Sequence, residues 1–508
     1  MLPVVENIIL VVKIMKLKDI CSVLSVDSIR GDSEAEITSV TVDSRLVKPG
    51  ALFIAVLGSK ADGHDYITEA IARGAIAILA DTKAKDRASQ ALGLQSLILV
   101  EDTRKVLPLV GKVFYQDPAS KLRLLGIVGT NGKTTSTFLV RSILEEAGYK
   151  TGLIGTISNT AGNKTIPSHN TTPGPIELQA LFREMVQEKM EYVVMEVSSH
   201  AIAQERIAGL TFDGGLFTNF TQDHLDFHGS FEEYFRVKSS FFRGLPSKAR
   251  AVINIDDPRG IDILGLTSAM PVTFGLAKEA EVRAEGITCG VKGTEFLLTT
   301  PRGQTTIKSK LIGDFNLYNI LGALGMGYSL GIDINTMRQG IEKVTGVPGR
   351  FQAIPGADDF TVVVDYAHSP DGLQKVLKTA RALTKNRVIT VFGCGGDRDR
   401  TKRPLMGGIA ADLSDLTIIT NDNPRSEEPS AIARDIEEGY LEKGNPSRYR
   451  IVLDRKKAIE EAIFLARPGD IVVIAGKGHE NYQIFSDRVT SFDDRKTALA
   501  VLEMRKND

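Results

Sequence analysis

Cysteine is scarce: Cys21, Cys289 and Cys394 stand far apart in 508 residues, with no paired spacing. That excludes a disulfide framework or a clustered zinc site, and makes the reduced cytoplasm the simplest compartment. Net charge is equally spare. Sixty-two basic residues against 63 acidic ones leave −1, which argues against a nucleic-acid binder, although a local basic patch stays open. There is no internal repeat, low-complexity tract or long run of one charge. Long apolar runs are missing too. In the apolar opening, residues 1–14, Glu6 and Lys13 flank only six residues. That is too short to span a bilayer, and it lacks the positive start and small-residue cleavage site of a secretory signal. Met15 reads as an equally good start, so residues 1–14 are expected to be a functionally silent extension.

What is present is the composition of a soluble globular chain, 42% hydrophobic and 25% charged, of a length that implies about three domains. The stretch that organises it is Leu124-Leu-Gly-Ile-Val-Gly-Thr-Asn-Gly-Lys-Thr-Thr135. It reads as a buried strand, a glycine-rich turn and a helix start, an arrangement whose backbone amides and helix N-terminus make a concave anion site. Lys133 supplies a charge for the outer phosphates of ATP, and the Thr134 hydroxyl is placed to ligate Mg²⁺. The match to the strict phosphate-loop pattern is imperfect, because Ile127 stands where the first glycine belongs.

Upstream, ITSVTVD, LFIAVLG, AIAILA and LILV, with the helical YITEAIARG between them, make a small α/β unit. Val42-Asp-Ser-Arg45 ends its first strand, and Gly58-Ser-Lys-Ala-Asp-Gly63 is a glycine-bracketed loop. By residues alone both read as turn chemistry. Downstream, Tyr192-Val-Val-Met-Glu-Val197 delivers Glu196 to the carboxyl end of a strand, where ligands collect in open α/β sheets, and a carboxylate there can hold Mg²⁺. Phe217 to His228 is again strand then polar turn. For His224 the spacing leaves a metal role and a turn-stabilising role open. Lys238 sits among aromatics on a helix, and its residue pattern assigns it no chemistry beyond reaching for water. Residues 270–312 (VTFG, EGITCG, GTEFLLTT) read as a small antiparallel accessory.

From residue 360 strands and helices alternate: TVVVDYAH, a helix over 371–383, VITVFG, a helix over 403–413, LTIIT, a helix over 430–440, RIVL, a helix over 455–466, then DIVVIAG. This predicts a doubly wound sheet. Its strand ends carry Asp365-Tyr-Ala-His368, Gly395-Gly-Asp-Arg-Asp399, Asp422-Asn-Pro-Arg425 and Gly476-Lys-Gly-His-Glu480, which should share one crevice.

With GTNGKTT at 129–135, NTTP at 170–173, EVSSHAIAQERI at 196–207, FTNFTQDHLDFHG at 217–229, DYAHSPDGL at 365–373, DNPRSEEP at 422–429 and GKGHE at 476–480, the chain resembles the Mur ligase family over essentially its whole length. The resemblance implies an α/β chain of three domains. These are a uridine-nucleotide domain at 1–103, a central phosphate-loop ATPase-like domain at 104–347, and a C-terminal Rossmann-like doubly wound domain at 348–508. It implies ATP contacts at Gly129, Thr130, Asn131, Gly132, Lys133, Thr134, Thr135, Asn319, Arg350 and Asp365. Val42, Ser44, Ser59, Lys60 and Ala61 resemble uridine contacts, which replaces the turn-chemistry reading. Asn170, Thr171, Thr172, Ser198, Gln204 and Arg206 resemble the residues that hold a muramoyl-dipeptide arm. Thr134, Glu196, His224 and Lys238, the last as a carbamate, resemble Mg²⁺ ligands, and with Lys133 the catalytic set. Arg398, Asp422, Asn423, Pro424, Arg425, Gly476 and Glu480 resemble a diaminopimelate pocket.

The implied activity is an ADP-forming ligation in peptidoglycan precursor synthesis. It joins meso-2,6-diaminopimelate to the D-Glu γ-carboxylate of UDP-N-acetylmuramoyl-L-Ala-D-Glu through an acyl phosphate. A cytoplasmic monomer, with no nucleic-acid partner and no membrane span, is expected. An L-lysine-adding ligase, a phosphate-loop switch or transport ATPase, and an inactive binder of UDP-muramoyl peptides are the alternatives.

Overall fold

In parallel sheets covered by helices on both faces, strands are buried throughout and read as continuous apolar runs. Several short runs of this chain do so. The computed structural model describes residues 14–507 except Ser59, Lys60, Leu92, Leu94, His169 and Asp358. The extension expected at 1–14 thus lies, but for Ile14, outside the described residues. The chain divides into two compact units, one holding 281–321 and 334–508, the other the described part of 5–280 with 322–333.

In the second of these units, a five-stranded sheet runs Ser28–Arg30, Ser96–Val100, Ala75–Asp81, Ala51–Ile54, Ser39–Thr41. It is parallel except for Ser28–Arg30. Ala51–Ile54 and Ser96–Val100 are buried at every residue. The YITEAIARG run forms the helix Ile67–Ala72, and the helix Thr103–Phe114 follows, its first turn capped by the Asp102 carboxylate. The same unit holds the phosphate-loop strand. Parallel neighbours there are Thr151–Ile154, Tyr192–Glu196, Arg123–Val128, Gly214–Phe217, Arg250–Asn254 and Met270–Gly275. Glu196 stands level with Ile127, and Phe217 with Val128. The carboxyl ends of three strands therefore open onto one edge.

VTFG departs from expectation. It belongs to Met270–Gly275, which pairs in parallel with Arg250–Asn254 and so extends the parallel run, where an antiparallel strand was expected. A four-residue apolar run carries no mark of its partner's direction. The antiparallel part is Val282–Gly290, Gly293–Thr300 and Gly303–Ser309, in the other unit.

That unit also holds a six-stranded sheet in the order Gln352–Ile354, Thr361–Asp365, Ile471–Ala475, Val388–Phe392, Leu416–Ile419, Tyr449–Ile451. It is parallel but for its first strand. Alternate residues feed two cores. Val363, Phe392, Ile419 and Val473 face helices Pro370–Leu383, Lys402–Leu413 and Pro429–Leu441, while Val364, Val391, Ile418 and Val472 face Arg455–Leu465 and Asp494–Asn507. The period of two is what a sheet covered on both faces requires. No described helix is long and apolar enough to cross a membrane.

Candidate active site

The phosphate loop is held open by its own backbone and by the turn that follows Gly214–Phe217. Gly129 has φ +154°, and a side chain there would collide with Thr218 Oγ1. Gly132, at φ 85°, begins the helix Lys133–Glu146. Only glycine adopts such angles without strain. The loop is pinned from the neighbouring strand end. Thr130 N donates to Asn219 O at 2.9 Å, Asn131 N to Asn219 Oδ1 at 3.0 Å, and Thr218 Oγ1 to Asn131 O at 2.7 Å. Lys133 Nζ folds onto the loop, donating to the Gly129 and Thr130 carbonyls at 2.9 Å each.

Two buried ionisable groups flank this loop. Glu196 is 1% exposed and accepts from Thr134 Oγ1 at 2.9 Å, Thr156 N at 2.8 Å and Thr156 Oγ1 at 3.1 Å. A side chain on Gly155 would run into Glu196 Oε1, so this glycine keeps room for the carboxylate. Lys238, also 1% exposed, donates to Gly129 O at 2.7 Å and lies 4.6 Å from the Tyr234 ring. Burial, and next the charge of Lys133, push its amine well below the ordinary lysine range. His224 has φ 51°, and its ring packs edge-on against His200 at 4.8 Å. Burial lowers its pKa, with Lys133 and Lys238 among the charges acting on it. Burial likewise pushes His200 down to about 4.

The donor set suits Mg²⁺. A hydroxyl and a carboxylate, Thr134 and Glu196, stand side by side beside an anion-binding loop, and hard oxygen donors are what that ion takes. Among the described residues no three His, Cys, Asp or Glu side chains form a metal cage. An ion here would therefore complete its shell with phosphate and water.

The predicted peptide-arm residues gather on the far side of Glu196. Thr172 Oγ1 donates to Glu196 O at 2.9 Å and accepts from Ser198 N at 3.0 Å. Arg206 Nη1 donates to Thr172 O at 2.7 Å and Nη2 to Gln204 Oε1 at 2.8 Å. Thr171 shares a 3.1 Å hydroxyl contact with Thr156, while Asn170 accepts from Ser168 Oγ at 2.8 Å. Ser198 also caps the short helix Ser199–Ala203. Thr156, which the sequence reading missed, touches both Glu196 and Thr171. Its signal was a polar residue just past the apolar strand Thr151–Ile154.

The predicted uridine residues are less gathered. Val42 is exposed, Ser44 is buried and donates to Glu69 Oε2 at 3.0 Å, and Ala61 O accepts from Gly58 N at 2.9 Å. Ser59 and Lys60 lie outside the described residues.

In the unit of the six-stranded sheet, all four strand-end clusters follow carboxyl ends. Asp365 accepts from Phe351 N at 2.7 Å and Ala367 N at 2.8 Å, and burial raises its pKa against the nearby Arg350 charge. The Arg350 guanidinium lies 5.4 Å from the Tyr366 ring, and Asn319 is buried on Asn316, 3.0 Å away. Lys477 Nζ, fully buried, donates to Asn423 Oδ1 at 3.1 Å and Glu480 Oε2 at 3.0 Å, and Asn423 Nδ2 reaches the same Glu480 oxygen at 2.9 Å. Gln483 binds Asp422 O at 2.9 Å. Arg425 Nη1 reaches Gly396 O at 2.7 Å, Arg398 Nη1 reaches Asp397 O at 3.0 Å, and Gly476, at φ +114°, leaves room for the Asp422 carboxylate. Pro424 O lies against Gly396. Lys477 was missed by sequence reading because it sits inside GKGHE with nothing to mark it as buried.

Three family models match: the Mur ligase family catalytic domain over 36–115, the Mur ligase middle domain over 127–327, and the Mur ligase glutamate ligase domain over 349–478. The chain is 45% identical to UDP-N-acetylmuramoyl-L-alanyl-D-glutamate–2,6-diaminopimelate ligase 1 of Clostridium acetobutylicum, covering 95% of this chain and 98% of that one. It is 42% identical to the ligase of the same name, without the numeral, from Geobacillus thermodenitrificans, covering 97% and 100%. A solved structure of a UDP-N-acetylmuramoyl-L-alanyl-D-glutamate–2,6-diaminopimelate ligase superposes with TM-score 0.67 at 30% identity, covering 97% of this chain and all of the other. The MurF ligase of Thermotoga maritima in complex with ADP, 19% identical with TM-score 0.62 over 92% and 98%, shares the fold. With relatives this similar along nearly their entire length, the chain belongs to the Mur ligase family.

Proposed function

We propose that the chain is an ATP-dependent, ADP-forming ligase that adds meso-diaminopimelate to the D-Glu γ-carboxylate of UDP-N-acetylmuramoyl-L-Ala-D-Glu. The observation that carries this is the chain Thr134–Glu196–Thr172–Arg206. It fastens the phosphate loop to the predicted peptide-arm residues through hydrogen bonds of 2.7 to 2.9 Å. A γ-phosphate seated on the loop and a carboxylate held beside Thr172 would meet next to Glu196.

The first step is attack of the γ-carboxylate on the γ-phosphorus of ATP, giving an acyl phosphate and ADP. Two anions must approach, so charge compensation is the main catalytic demand. Lys133 swings from its loop carbonyls to the transferring phosphoryl group, and the amides of Gly132 to Thr135, at the helix N-terminus, cradle the phosphates. Thr134, Glu196 and, in this proposal, His224 and carbamylated Lys238 would hold Mg²⁺, which would supply further charge to offset the approaching anions. The low pKa of the Lys238 amine favours carbamylation. The neutral nitrogen attacks CO₂, a nitrogen–carbon bond forms as one carbon–oxygen π bond opens, a single proton is released, and a neutral amine becomes an anionic carbamate. In the second step the diaminopimelate amine attacks the acyl carbon, and phosphate leaves.

Asn319, Arg350 and Asp365 are assigned to the nucleotide. Val42, Ser44, Ser59, Lys60 and Ala61 are assigned to the uridine end. Asn170, Thr171, Thr172, Ser198, Gln204 and Arg206 take the dipeptide. Arg398, the Asp422–Arg425 run, Gly476 and Glu480 take diaminopimelate. Arg425 can fork onto its distal carboxylate, which lysine lacks, and an unpaired guanidinium disfavours the smaller substrate. The division into domains is proposed at 1–103, 104–347 and 348–508; the family matches over 36–115, 127–327 and 349–478 follow the same order, the first of them running past residue 103. A cytoplasmic monomer fits a precursor carried on UDP.

Labelling the D-Glu γ-carboxylate with oxygen-18 tests the chemistry. One labelled oxygen should leave in the released phosphate. Phosphate without label would refute acyl-phosphate formation.

A further inference from the structure

Arg403, on the helix Lys402–Leu413, is fully buried, and no motif above assigns it a task. Its guanidinium faces two carboxylates. Nη2 donates to Glu427 Oε1 at 2.8 Å, and Nη1 to Glu427 Oε2 at 3.1 Å and Asp435 Oδ2 at 2.8 Å. Arg400 closes on Glu427 Oε2 at 2.8 Å from the solvent side. The Arg403 hydrogen bonds hold the Glu427 carboxyl down at about 2, so it stays ionised at any working pH.

Glu427 in turn laces together two loops of the crevice. Its Oε1 accepts the Asp397 amide at 2.6 Å. The Asp397 carboxylate reaches back, accepting from Ser426 Oγ at 2.5 Å and Ser426 N at 3.3 Å. Gly396 N donates to Asn423 O at 2.9 Å, and a side chain at Gly396 would collide with Pro424 O. Two non-glycine residues inside this lacing, Asp397 and Arg425, both have φ 53°. Left-handed backbone at such residues persists only where the surroundings over-determine it. Arg425 is fixed at both ends, its amide on Ile484 O at 3.0 Å and its Nη1 on Gly396 O at 2.7 Å. Where the Arg425 guanidinium points is therefore set by where Gly396 and Asp397 are held.

We infer that Arg403, acting through Glu427, is the positioning residue that aims Arg425 and thereby sets the preference for an amino acid bearing a second carboxylate. This rests on the reading of the crevice as the diaminopimelate site. A bidentate contact tolerates little misplacement. An Arg425 released from the lacing would lose much of its hold on a distal carboxylate, whereas lysine has none to lose.

The test is steady-state kinetics of Glu427→Ala and Glu427→Gln, varying diaminopimelate, lysine and ATP in turn, on protein shown folded by its melting transition. Neither variant alters a fully buried side chain, and Gln keeps an acceptor for the Asp397 amide. Glu427→Ala should raise KM for diaminopimelate about tenfold or more, with kcat within about threefold and KM for ATP unchanged. The diaminopimelate-over-lysine ratio of kcat/KM should fall in step, and Glu427→Gln should lie between. An unchanged KM for diaminopimelate, or an equal loss of kcat with both amino acids, overturns the inference. If the wild type does not use diaminopimelate, the parent reading of the crevice fails. If it does and the variants match it, only the Arg403–Glu427 role fails.

Discussion

At the phosphate-loop edge, Glu196 and Lys238 are buried with hydroxyls, amides and carbonyls as partners, and neither has a counter-ion within 4 Å among the described residues. At the strand ends of the six-stranded sheet, buried cations are matched instead. Arg455 meets Asp494 with both side chains fully buried, Arg403 meets Glu427 and Asp435, and Lys477 meets Glu480. An isolated buried charge is costly, and a paired one much less so. The first edge is thus poised for charge that arrives with ATP and a metal ion. The second is neutralised in advance and holds a fixed shape for its ligand.

The largest effect should come from breaking a pair at the second edge. Arg455 donates to both Asp494 oxygens at 2.7 Å and to Ala475 O at 2.9 Å, immediately before the Gly476 turn. Arg455→Met leaves Asp494 buried alone and should cost about 3–5 kcal/mol in a urea or thermal unfolding curve. An unfolding free energy unchanged from wild type would erase the contrast between the edges. Next is Lys133→Ala, which removes a charge from the transferring phosphoryl group and should lower kcat by about 10²–10³-fold with folding intact. A third variant runs against intuition. Lys238→Met replaces a buried amine that has a carbonyl partner but no counter-ion by a hydrophobe of similar length, and should raise stability by about 1 kcal/mol while abolishing ligation. A destabilised Lys238→Met would mean that the lysine is structurally satisfied as it stands.

The smallest effect is spread over pH. His479 packs 4.9 Å from the Tyr366 ring, and burial, then the charges of Arg350, Arg495, His368 and Lys477, push it from 6.5 down to about 4. Between those values the unfolded chain binds a proton that the folded chain refuses. The stability it contributes is therefore complete above pH 6.5 and lost as pH falls from 6.5 towards 4. Melting temperatures across that window should decline more gently in His479→Asn than in wild type; parallel slopes would remove His479 from the account.

Much of this arrangement was legible in the residues. Apolar runs closed by glycine and polar clusters announced the strand ends, so the loop at 129–135, Glu196 and the four C-terminal clusters could be placed before any coordinates. What was not legible depended on pairing across the sequence. VTFG gave no sign of joining a parallel partner. Thr156 looked like an ordinary strand-end threonine. Arg403 and Glu427, 24 residues apart and bonded in the fold, carried no mark of that contact. Lys238 was uninformative by pattern, because one helical lysine reads like another until its burial and its bond to Gly129 O are seen. The uridine residues are the least gathered, with Ser44 turned to Glu69.

The most direct measurement is mass spectrometry of the product formed from ATP, Mg²⁺, UDP-N-acetylmuramoyl-L-Ala-D-Glu and an equimolar mixture of meso-diaminopimelate and L-lysine. The expected spectrum shows the uridine-linked dipeptide enlarged by one diaminopimelate residue, in step with ADP release and formed about 10²–10³-fold more slowly with Lys133→Ala. A dominant lysine adduct, or synthesis at an undiminished rate after the loss of Lys133, would contradict the function proposed for these two sites.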